Sequence, residues 1–375
     1  MGSLEQEIKE LALELGFVSV GITTTEPLSW LEPIVEARVQ AGLLSGLPWF
    51  DLERVRKSCR PRESWPQARS VVSLAVAYGQ GGASLEIPAL GLRGQISRYA
   101  GGDDYHQVVK HHARPLLQLI REHEAEPRAQ LTSDSGRLLD RGFAHGAGVG
   151  WYGQNCSIIV PGRGSFVFLA EIVTSLHLEP DAPTPSDCGR CDACLRSCPT
   201  GALSEPYVVD SRRCISFLTI ELRGSIPLEL RPLMGTRIFG CDACQAYCPH
   251  NRKSRAALWP ELRPSSDAAL LPSLPDLLRL REDGFLERFA ESPVLRARRQ
   301  GLLRNAAVAL GNLGDRAAVP VLREVLDDPD PVVRSHAAWA LGQLGGASAR
   351  MALETAARTE PEPEVAREIV LAFQR

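Results

Sequence analysis

The order of apolar and polar residues along the chain predicts a first region that mixes helices and strands. Residues 4–16 repeat leucine, isoleucine and alanine at helical spacing and end at a glycine, which predicts an amphipathic helix. Residues 17–23, 70–78 and 165–178 are apolar runs rich in valine, isoleucine and phenylalanine, which predicts buried strands. Residues 107–123 return to helical spacing. The pattern therefore predicts an α+β or α/β region.

The pattern changes beyond residue 260, where strands disappear and short helices rich in leucine and alanine take over. The segment NAAVALGNLGD at 305–315 returns as HAAWALGQLGG at 336–346. A repeat of this length is typical of HEAT-like helical hairpins, which stack into a solenoid with a concave binding face. A plain helical cap on the core is the alternative that the pattern leaves open.

A proline-rich joint at 178–187, LEPDAPTPSD, separates the first region from a cysteine-rich segment. We therefore predict an α+β protein with domains at 1–177, 178–260 and 261–375. The chain has 375 residues, of which 44% are hydrophobic and 23% charged, so it can bury two or three cores.

The cysteine-rich segment holds eight of the ten cysteines. The block CGRCDACLRSCP, residues 188–199, has the Cys-x₂-Cys-x₂-Cys-x₃-Cys-Pro spacing of bacterial ferredoxins, in which the fourth cysteine ligates the neighbouring cluster. A second block, CDACQAYCP at 241–249, follows Cys214. The spacing predicts two 4Fe–4S clusters with crossed ligands, the first held by Cys188, Cys191, Cys194 and Cys248 and the second by Cys198, Cys214, Cys241 and Cys244.

Two zinc ribbons are the alternative for these thiols, but a zinc knuckle needs neither a third cysteine two residues on nor a closing Cys-Pro. A disulfide framework would spread its cysteines along the chain, so we expect a reducing cytoplasm. We expect no membrane segment, because no apolar run approaches the ~18–20 residues of a span. The chain carries 42 basic and 45 acidic residues, which gives no global signal for nucleic acid.

Arginines gather where the helical repeats begin. Residues 291–304 contain Arg296, Arg298, Arg299 and Arg304 against one acid. Such a patch can contact a phosphate backbone, although most charge runs are solvated faces.

Four stretches of this sequence resemble the epoxyqueuosine reductase family over nearly the whole chain. They are GGDDYHQVV at 101–109, GVGWYGQNC at 148–156, CISFLTIELRGSIP at 214–227 and GTRIFGCDACQAYCPHN at 235–251. The resemblance implies a cobalamin enzyme that reduces an epoxide on the modified wobble base of tRNA to an alkene, the last step of queuosine synthesis. It also implies a first domain that binds cobalamin in a manner similar to reductive dehalogenases, and HEAT-like repeats that bind tRNA. We expect a monomer fed by an external donor such as a flavodoxin, a ferredoxin or a reductase.

The resemblance also implies roles for individual residues. Asp134 would give a proton to the departing oxygen and contact the cofactor, and Tyr105 and His106 would line the substrate pocket. For the corrin, besides Asp134, the resemblance points to Asn155, Ser157, Ser216, Asp242 and Ala243. Arg60 is a further candidate because an arginine could bind the phosphate or amide edge of the cofactor, with a plain surface arginine as the alternative. The basic stretch, and not the resemblance, gives the arginines expected to bind tRNA, which are Arg296, Arg298 and Arg299.

Bland alternatives stand beside these roles. Asp134 lies among serine and glycine, where aspartate is commonly a turn cap. Asp103 or Asp104 would cap a helix, and Asp140 followed by Arg141 suggests a structural ion pair.

Two positions depart from the family. Gln154 stands where relatives commonly carry lysine, and Gly102 precedes Asp103 where an arginine or lysine is usual.

Two other functions share parts of this pattern. A reductive dehalogenase-like enzyme for a small molecule would also use a corrin and clusters, but it has no need for the repeats or for the arginine rim, the basic stretch of Arg296, Arg298 and Arg299. An electron carrier with a ferredoxin insert would need the clusters alone.

Overall fold

The computed structural model describes residues 2–79, 91–126, 128–134, 137–254 and 256–374. In the first region the helices are α1 Leu4–Glu14, α2 Glu32–Gln40, α3 Leu52–Cys59, α4 Pro61–Ser64, α5 Tyr105–His112, α6 Arg114–Glu122 and α7 Asp140–Gly146. The strands are β1 Ser19–Thr24, β2 Ser70–Ala77, β3 Gln95–Ile96, β4 Gln130–Thr132, β5 Trp151–Tyr152, β6 Ile158–Ile159 and β7 Val167–Thr174. A 3₁₀ turn spans Arg98–Ala100.

The main sheet has the strand order β1-β2-β7-β4, and every neighbouring pair is antiparallel. The three apolar runs that predicted strands supply β1, β2 and β7. All eight residues of β2 are buried, because β1 and β7 flank it and both faces of the sheet are covered. The antiparallel pairing makes this region α+β rather than α/β.

The helix predicted over 107–123 is two helices in the structure. Helix α5 ends at His112 and α6 begins at Arg114, with Ala113 between them. Pro115 is the cause, since proline has no N–H to bond the carbonyl one turn earlier and its ring crowds that carbonyl.

Helix α7 lies directly against the main sheet. A Cβ on Gly21 of β1 would stand 1.9 Å from the carbonyl oxygen of Ala147, the residue that ends α7. Glycine at this position therefore lets the helix approach the strand closely.

The cysteine-rich segment is folded by short elements around its thiols. These are α8 Ala193–Ser197, β8 Leu203–Glu205, β9 Val208–Val209, α9 Ile215–Ile220, β10 Arg237–Phe239 and α10 Ala243–Ala246, with 3₁₀ turns at Pro232–Met234 and Pro249–Lys253. Strand β10 pairs in parallel with β3 of the first region, so the two regions share a small sheet.

The last region is helical, as the repeat predicted. Its helices are α11 Asp267–Leu270, α12 Leu274–Leu278, α13 Glu282–Arg288, α14 Arg298–Leu313, α15 Val319–Val325, α16 Pro331–Leu344, α17 Ala347–Ala356 and α18 Pro363–Ala372, with 3₁₀ turns at Pro260–Leu262, Pro293–Ala297 and Arg316–Ala318. The two copies of the repeated segment form the buried later parts of α14 and α16, and each helix ends at a glycine with positive φ, Gly314 and Gly345. No helix in the described part of the chain is long and apolar enough to span a membrane.

The repeats and the cysteine-rich segment share one apolar core, which contains Leu218, Ile238, Ala306 and Leu341. This shared core crosses the boundary predicted at 260/261. The domain boundaries at 177/178 and 260/261 stay a prediction.

Arg304, one of the arginines counted in the basic stretch, is fully buried at this junction. Its guanidinium donates to the carbonyl oxygens of Leu218, Leu222 and Gly224 at 2.6, 2.8 and 2.7 Å. Burial lowers the pKa of Arg304 to about 9, which reflects the cost of a charge taken out of water. This arginine therefore joins α14 to the segment after α9 and is not part of a solvent-facing patch.

Replacing Arg304 by methionine should lower the free energy of unfolding, because the buried carbonyl of Leu218 and the part-buried carbonyls of Leu222 and Gly224 lose their donor while the side chain keeps a similar length. A buried carbonyl without a donor costs about 1–3 kcal/mol and water can reach the other two, so we expect a loss of roughly 1–3 kcal/mol in chemical denaturation. The control is Arg350→Met on α17, an exposed arginine that bonds Glu354, which should change stability by less than ~0.5 kcal/mol. Equal stabilities for the two variants would contradict the role of Arg304.

Candidate functional site

Asp134 follows strand β4 and presents its carboxyl group at an exposed position. The Tyr105 hydroxyl donates to Asp134 Oδ2 at 2.5 Å. The backbone of Asp134 has a φ of 53°, in the left-handed region that few residues other than glycine adopt, although aspartate is among the more tolerant. The preceding Ser133 is fully buried and donates to the Leu169 carbonyl oxygen at 2.9 Å, which fixes the start of the loop. The remaining predicted turn neighbours, residues 135 and 136, lie outside the described residues.

Tyr105 is held in place by a stack of rings. Its ring lies 4.0 Å from that of Phe168 at an interplanar angle of 3° and 4.0 Å from that of His106 at 27°. Burial raises the pKa of Tyr105, and the charge of Asp134 and the hydrogen bond to it act in the same direction. The phenol therefore stays protonated and serves as a donor to Asp134.

The helix cap expected in the DDYH motif is present and is compatible with a pocket role. Asp104 accepts from the His106 backbone N–H at 3.0 Å at the start of α5. Its carboxyl also contacts His106 Nδ1 at 2.7 Å, and this bond to the imidazole is the largest cause of the lowered pKa of Asp104. The structure thus brings Tyr105, His106 and Asp134 together.

The ion pair predicted between Asp140 and Arg141 is not formed, and that prediction was wrong. Asp140 is the first residue of α7, and its carboxyl faces Glu171 of β7 and the backbone N–H of Asp134, both of which act on its pKa. Burial raises the pKa of Asp140 to about 6, while the charge of Arg141 acts on it only as a smaller opposing effect. The reason for the error is positional, because adjacent residues on a helix do not face each other.

The eight clustered cysteines fall into two groups, in which the charge of one thiolate raises the pKa of other members of the group. Each group takes members from both sequence blocks. The first group is Cys188, Cys191, Cys194 and Cys248. The second group is Cys198, Cys214, Cys241 and Cys244. Cys244 also feels Cys194, so the two groups are neighbours.

Burial and backbone N–H groups act on the pKa values of these thiols in opposite directions. Burial raises the pKa of Cys194 to about 11 and that of Cys241 to about 12, so neither would ionise readily without a cation. Backbone N–H groups point at several of the sulfurs, among them that of Ala243 at Cys241 and those of Ser216 and Phe217 at Cys214. Such N–H donors stabilise cluster thiolates and tune their potential.

The residues expected to bind the corrin lie along the junction of the first region with the cysteine-rich segment, and several of their side chains are already engaged. Asn155 Nδ2 donates to the Cys244 carbonyl oxygen at 3.3 Å, and its Oδ1 accepts from the Ser157 N–H at 3.1 Å. Arg60 instead forms an ion pair with Glu32 at 3.0 Å.

Ala243 is buried and its neighbour Asp242 is half-buried beside the second thiol group. The Asp242 carboxylate accepts from Ser97 Oγ at 2.5 Å and from the Arg98 N–H at 2.9 Å. The Ser216 backbone serves Cys214, as described above, and the Ser216 side chain is half-buried.

Arg38 and Arg141, which sequence reasoning did not assign to the site, lie near Tyr152 and Cys156. Burial raises the pKa of both Tyr152 and Cys156, and the charges of Arg38 and Arg141 oppose that rise in each case. Arg141 acts in the same way on Cys214, a member of the second thiol group. Within the part of the chain that the structure describes, neither arginine has an ion pair or a side-chain hydrogen bond. No local motif marks them, because they come from different helices, α2 and α7.

An open cleft of about 860 Å³ borders the repeats and the segment after Cys214. The residues lining it include Trp49, Phe217, Leu218, Arg212, Arg223, Arg296 and Arg298. Asp134 and Tyr105 act electrostatically on Arg296, so this wall of the cleft lies near the Asp134 loop.

The three arginines expected at the rim have different surroundings. Arg296 is exposed and pairs with Glu221, and Arg298 is exposed at the start of α14. Arg299 differs, since its guanidinium is bound to Asp328 and donates to the Leu280 carbonyl oxygen at 2.7 Å. It is directed into the repeats, so we correct the predicted rim to Arg296 and Arg298.

Both departures from the family pattern have local explanations. A Cβ on Gly102 would stand 2.4 Å from the carbonyl oxygen of Glu261, so an arginine or lysine does not fit here without a backbone shift. Gln154 is buried and donates to the Gly189 carbonyl oxygen at 3.2 Å, within the first cysteine block.

Three family models match the chain in the order of its regions. Residues 59–135 match "Epoxyqueuosine reductase QueG, DUF1730", residues 187–251 a 4Fe–4S double cluster binding domain, and residues 293–374 HEAT repeats. The clusters and the HEAT repeats predicted from the spacing and the repeat are thereby confirmed, and the zinc ribbons and the plain helical cap are set aside.

Relatives of known name match over most of the chain. The epoxyqueuosine reductase of Escherichia coli strain K12 is 39% identical over 92% of this chain and 90% of its own length. That of Bacillus subtilis strain 168 is 36% identical over 98% of this chain and 94% of its own length.

Solved structures agree with this. An epoxyqueuosine reductase in complex with an epoxyqueuosine-modified tRNA-Tyr stem loop superposes with a TM-score of 0.90 at 34% identity, covering 99% of this chain and 98% of the other. A Bacillus subtilis epoxyqueuosine reductase, whose aspartate-bearing catalytic loop is swung out of the active site, gives 0.89 at 34% identity with the same coverage.

A pair of double variants tests the crossed grouping of the thiols. If Cys198 and Cys241 serve one cluster, the Cys198→Ser/Cys241→Ser protein should keep about four irons after anaerobic reconstitution. The Cys198→Ser/Cys188→Ser protein should keep almost none, because it removes one ligand from each group. Iron and sulfide analysis with EPR of the reduced proteins measures both. Block-by-block ligation predicts the reverse result for the two variants.

Proposed function

The chain belongs to the epoxyqueuosine reductases and is an oxidoreductase with two 4Fe–4S clusters, and we propose that it reduces epoxyqueuosine in tRNA to queuosine with Asp134 as proton donor and cobalamin as cofactor. The observation that carries the proposal is the exposed Asp134 carboxyl, bound by a buried tyrosine beside an arginine-lined cleft. The relatives that match nine-tenths of the chain are epoxyqueuosine reductases, so the dehalogenase-like and carrier alternatives are not kept.

The overall reaction fixes what the site must deliver. Conversion of the epoxide to an alkene breaks both C–O bonds, consumes two electrons and two protons, and releases the oxygen as water. No protein side chain supplies electrons of this kind, so they must come from bound cofactors. The polypeptide is left with orienting the base and giving a proton to the departing oxygen.

Asp134 is suited to the proton step by its placement. Its Oδ2 is bound by Tyr105, so the remaining oxygen is left to carry a proton to the substrate. The stack of Tyr105 between Phe168 and His106 restricts the phenol, and through it the orientation of the carboxyl. Positioning of this kind is a large part of general acid catalysis.

The two thiol groups would each hold one cluster, with the crossed ligand sets predicted from the sequence. Clusters of this type supply single electrons at low potential. The N–H donors at Cys214 and Cys241 are the residues of this chain that would set the potential of the second cluster.

The residues present fit a corrin at the junction beside the second thiol group. The open cleft adjoins this junction through Phe217, the neighbour of Ser216, and its volume of about 860 Å³ lies at the upper end of the ~300–1,000 Å³ of ordinary ligand pockets. Arg38 and Arg141 offer cations without a protein partner among the described residues, suited to the amides and phosphate of the cofactor. Ser157, Ser216, Ala243 and the predicted Arg60, Asn155 and Asp242 would complete the binding site. Bound cobalamin would supply a strongly reducing cobalt centre next to the base.

The arginine rim would bind the tRNA backbone. Arg296 and Arg298 line the cleft near Asp134, at the start of the HEAT repeats, where the phosphates of an anticodon loop could be held while its base enters. An external electron donor, a monomeric state and a cytoplasmic location complete the proposal.

The proton role is tested by Asp134→Asn in reconstituted enzyme. Asparagine keeps the shape and the bond from Tyr105 but cannot release a proton, so the single-turnover rate should fall by about 10²–10⁴-fold with tRNA still bound. Tyr105→Phe, which removes only the orienting hydroxyl, should cost less. A rate for Asp134→Asn within a few-fold of the parent would move the role to His106 or Tyr105.

The rim is tested by the Arg296→Ala/Arg298→Ala double variant. It should bind tRNA more weakly and lower the slope of log affinity against log salt by roughly 0.7–0.9 per lost phosphate contact, with iron and cobalamin content unchanged. Arg350→Ala/Arg358→Ala, two exposed arginines of the same region, is the charge-matched control. Arg299→Ala should instead lower stability, because it leaves Asp328 without its partner. Equal tRNA affinities for the rim and control variants would show that Arg296 and Arg298 are ordinary solvent-exposed arginines with no role in tRNA binding.

A further inference from the structure

A row of polar residues crosses the otherwise apolar main sheet directly behind the Asp134 loop. Ser73 of β2 and Thr132 of β4 both stand opposite Glu171 of β7. Residues directly opposite in antiparallel strands point to the same face, so the three side chains lie side by side. Ser73 and Glu171 are fully buried, and Asp140 at the start of α7 reaches Glu171.

The contact between Asp140 and Glu171 lacks a donor unless a proton lies in it. Glu171 Oε1 accepts from Ser73 Oγ at 3.3 Å, whereas Glu171 Oε2 and Asp140 Oδ1 are buried and have no donor of their own. Two ionised carboxylates in hydrogen-bond contact inside a protein repel strongly, and a single shared proton removes that repulsion and supplies the missing donor. Burial and the charge of Asp140 both raise the pKa of Glu171, in keeping with a protonated partner.

The same pair reaches the catalytic loop through its backbone. The Asp134 N–H faces the Asp140 carboxyl and acts to lower its pKa, and Asp134 is the residue with a left-handed backbone. A residue in a sparsely populated conformation keeps it only where its surroundings impose it. Among the described residues, the Tyr105 hydroxyl restrains the Asp134 side chain, Ser133 restrains the residue before it, and Asp140 faces the Asp134 backbone N–H.

We propose that Asp140 and Glu171 share one proton and act together as the positioning pair that holds the Asp134 loop in its working conformation. With one proton the pair keeps a single negative charge, and that charge strengthens its bond to the Asp134 N–H. The charged groups that face the pair are Asp134 itself and Arg141 of α7, while β2 contributes the uncharged Ser73. The inference rests on the proposed role of Asp134, which the pair does not replace.

Reconstituted holoenzyme carrying Asp140→Ala tests the positioning role. Displacement of a catalytic group by about 1 Å can cost ~10²-fold, so the single-turnover rate should fall by up to that factor while the KM for tRNA stays the same. Amide hydrogen exchange at Asp134 should become faster, a readout that does not depend on activity. Asp140→Asn should restore most of the rate, because its amide oxygen accepts the Asp134 N–H and its NH₂ donates to Glu171.

Glu124→Ala is the matched control for lost stability. Glu124 is also a buried carboxyl that holds backbone N–H groups, those of Ala129 and Ser175, near the end of β7. Its removal should lower the melting temperature as Asp140→Ala does, yet leave the rate and the exchange at Asp134 unchanged. Equal losses of rate in both variants would reduce Asp140 to a general structural role.

The shared proton is tested by Glu171→Gln. The folded parent holds one proton that the unfolded chain releases above the ordinary carboxyl pKa, so its free energy of unfolding should fall as the pH rises between about 5 and 8. Glutamine keeps a donor to Asp140 but takes up no proton. The slope of the free energy of unfolding against pH should therefore differ between variant and parent by the amount that corresponds to one bound proton. Identical slopes would overturn the shared proton.

The outcomes separate this inference from the proposed function. Parental rate and exchange in Asp140→Ala, with Asp134→Asn inactive, would overturn the positioning role and leave the acid in place. An active Asp134→Asn protein would overturn the acid, while the exchange rates would still decide whether Asp140 holds the loop. Should Asp140→Ala fail to fold, Asp140→Asn and Glu171→Gln would still test the shared proton, through the pH dependence of their free energies of unfolding.

Discussion

The short segment from Cys214 to Gly224 is the part of the molecule on which the other regions depend. Its first residue belongs to the second thiol group, its helix lines the cleft, and its last carbonyls are bound by Arg304 of the repeats. On the other side, Asn155 fastens the first region to the Cys244 carbonyl oxygen. Ligation, cleft shape and the position of the repeats are therefore coupled through backbone groups that cannot move independently.

Sequence reasoning succeeded where a pattern was local. The cysteine spacing predicted the clusters, the returning NAAVALG segment predicted the repeats, and the apolar runs predicted β1, β2 and β7. A side chain's surroundings were harder, because they depend on contacts distant in sequence. Arg299 and Arg304 read as surface cations but lie inside, since Asp328 and the carbonyls after α9 are invisible in a local window. The sheet's polar row was missed for the same reason, because Glu171 stands in a run that otherwise reads as a strand core.

The carboxyl groups of the site differ in solvent exposure. The exposed one can contact the substrate, and those behind it can hold it in position. An exposed carboxyl such as Asp134 can meet a substrate, but its conformation must be imposed from elsewhere. The fully buried Glu171 and the half-buried Asp140 that faces it cost stability and lie behind the loop, but they are rigid. Burial raises a carboxyl pKa one layer behind the proton donor, where that of Asp140 rises to about 6.

The continuous core between repeats and clusters also limits how this protein can be divided. A chain cut at residue 260 would leave Leu218 and Ile238 facing water and strip Arg304 from three carbonyls. The repeats thus serve as part of the scaffold that shapes the redox centre, and shuffling them between proteins as an interchangeable recognition module would require rebuilding the wall they share.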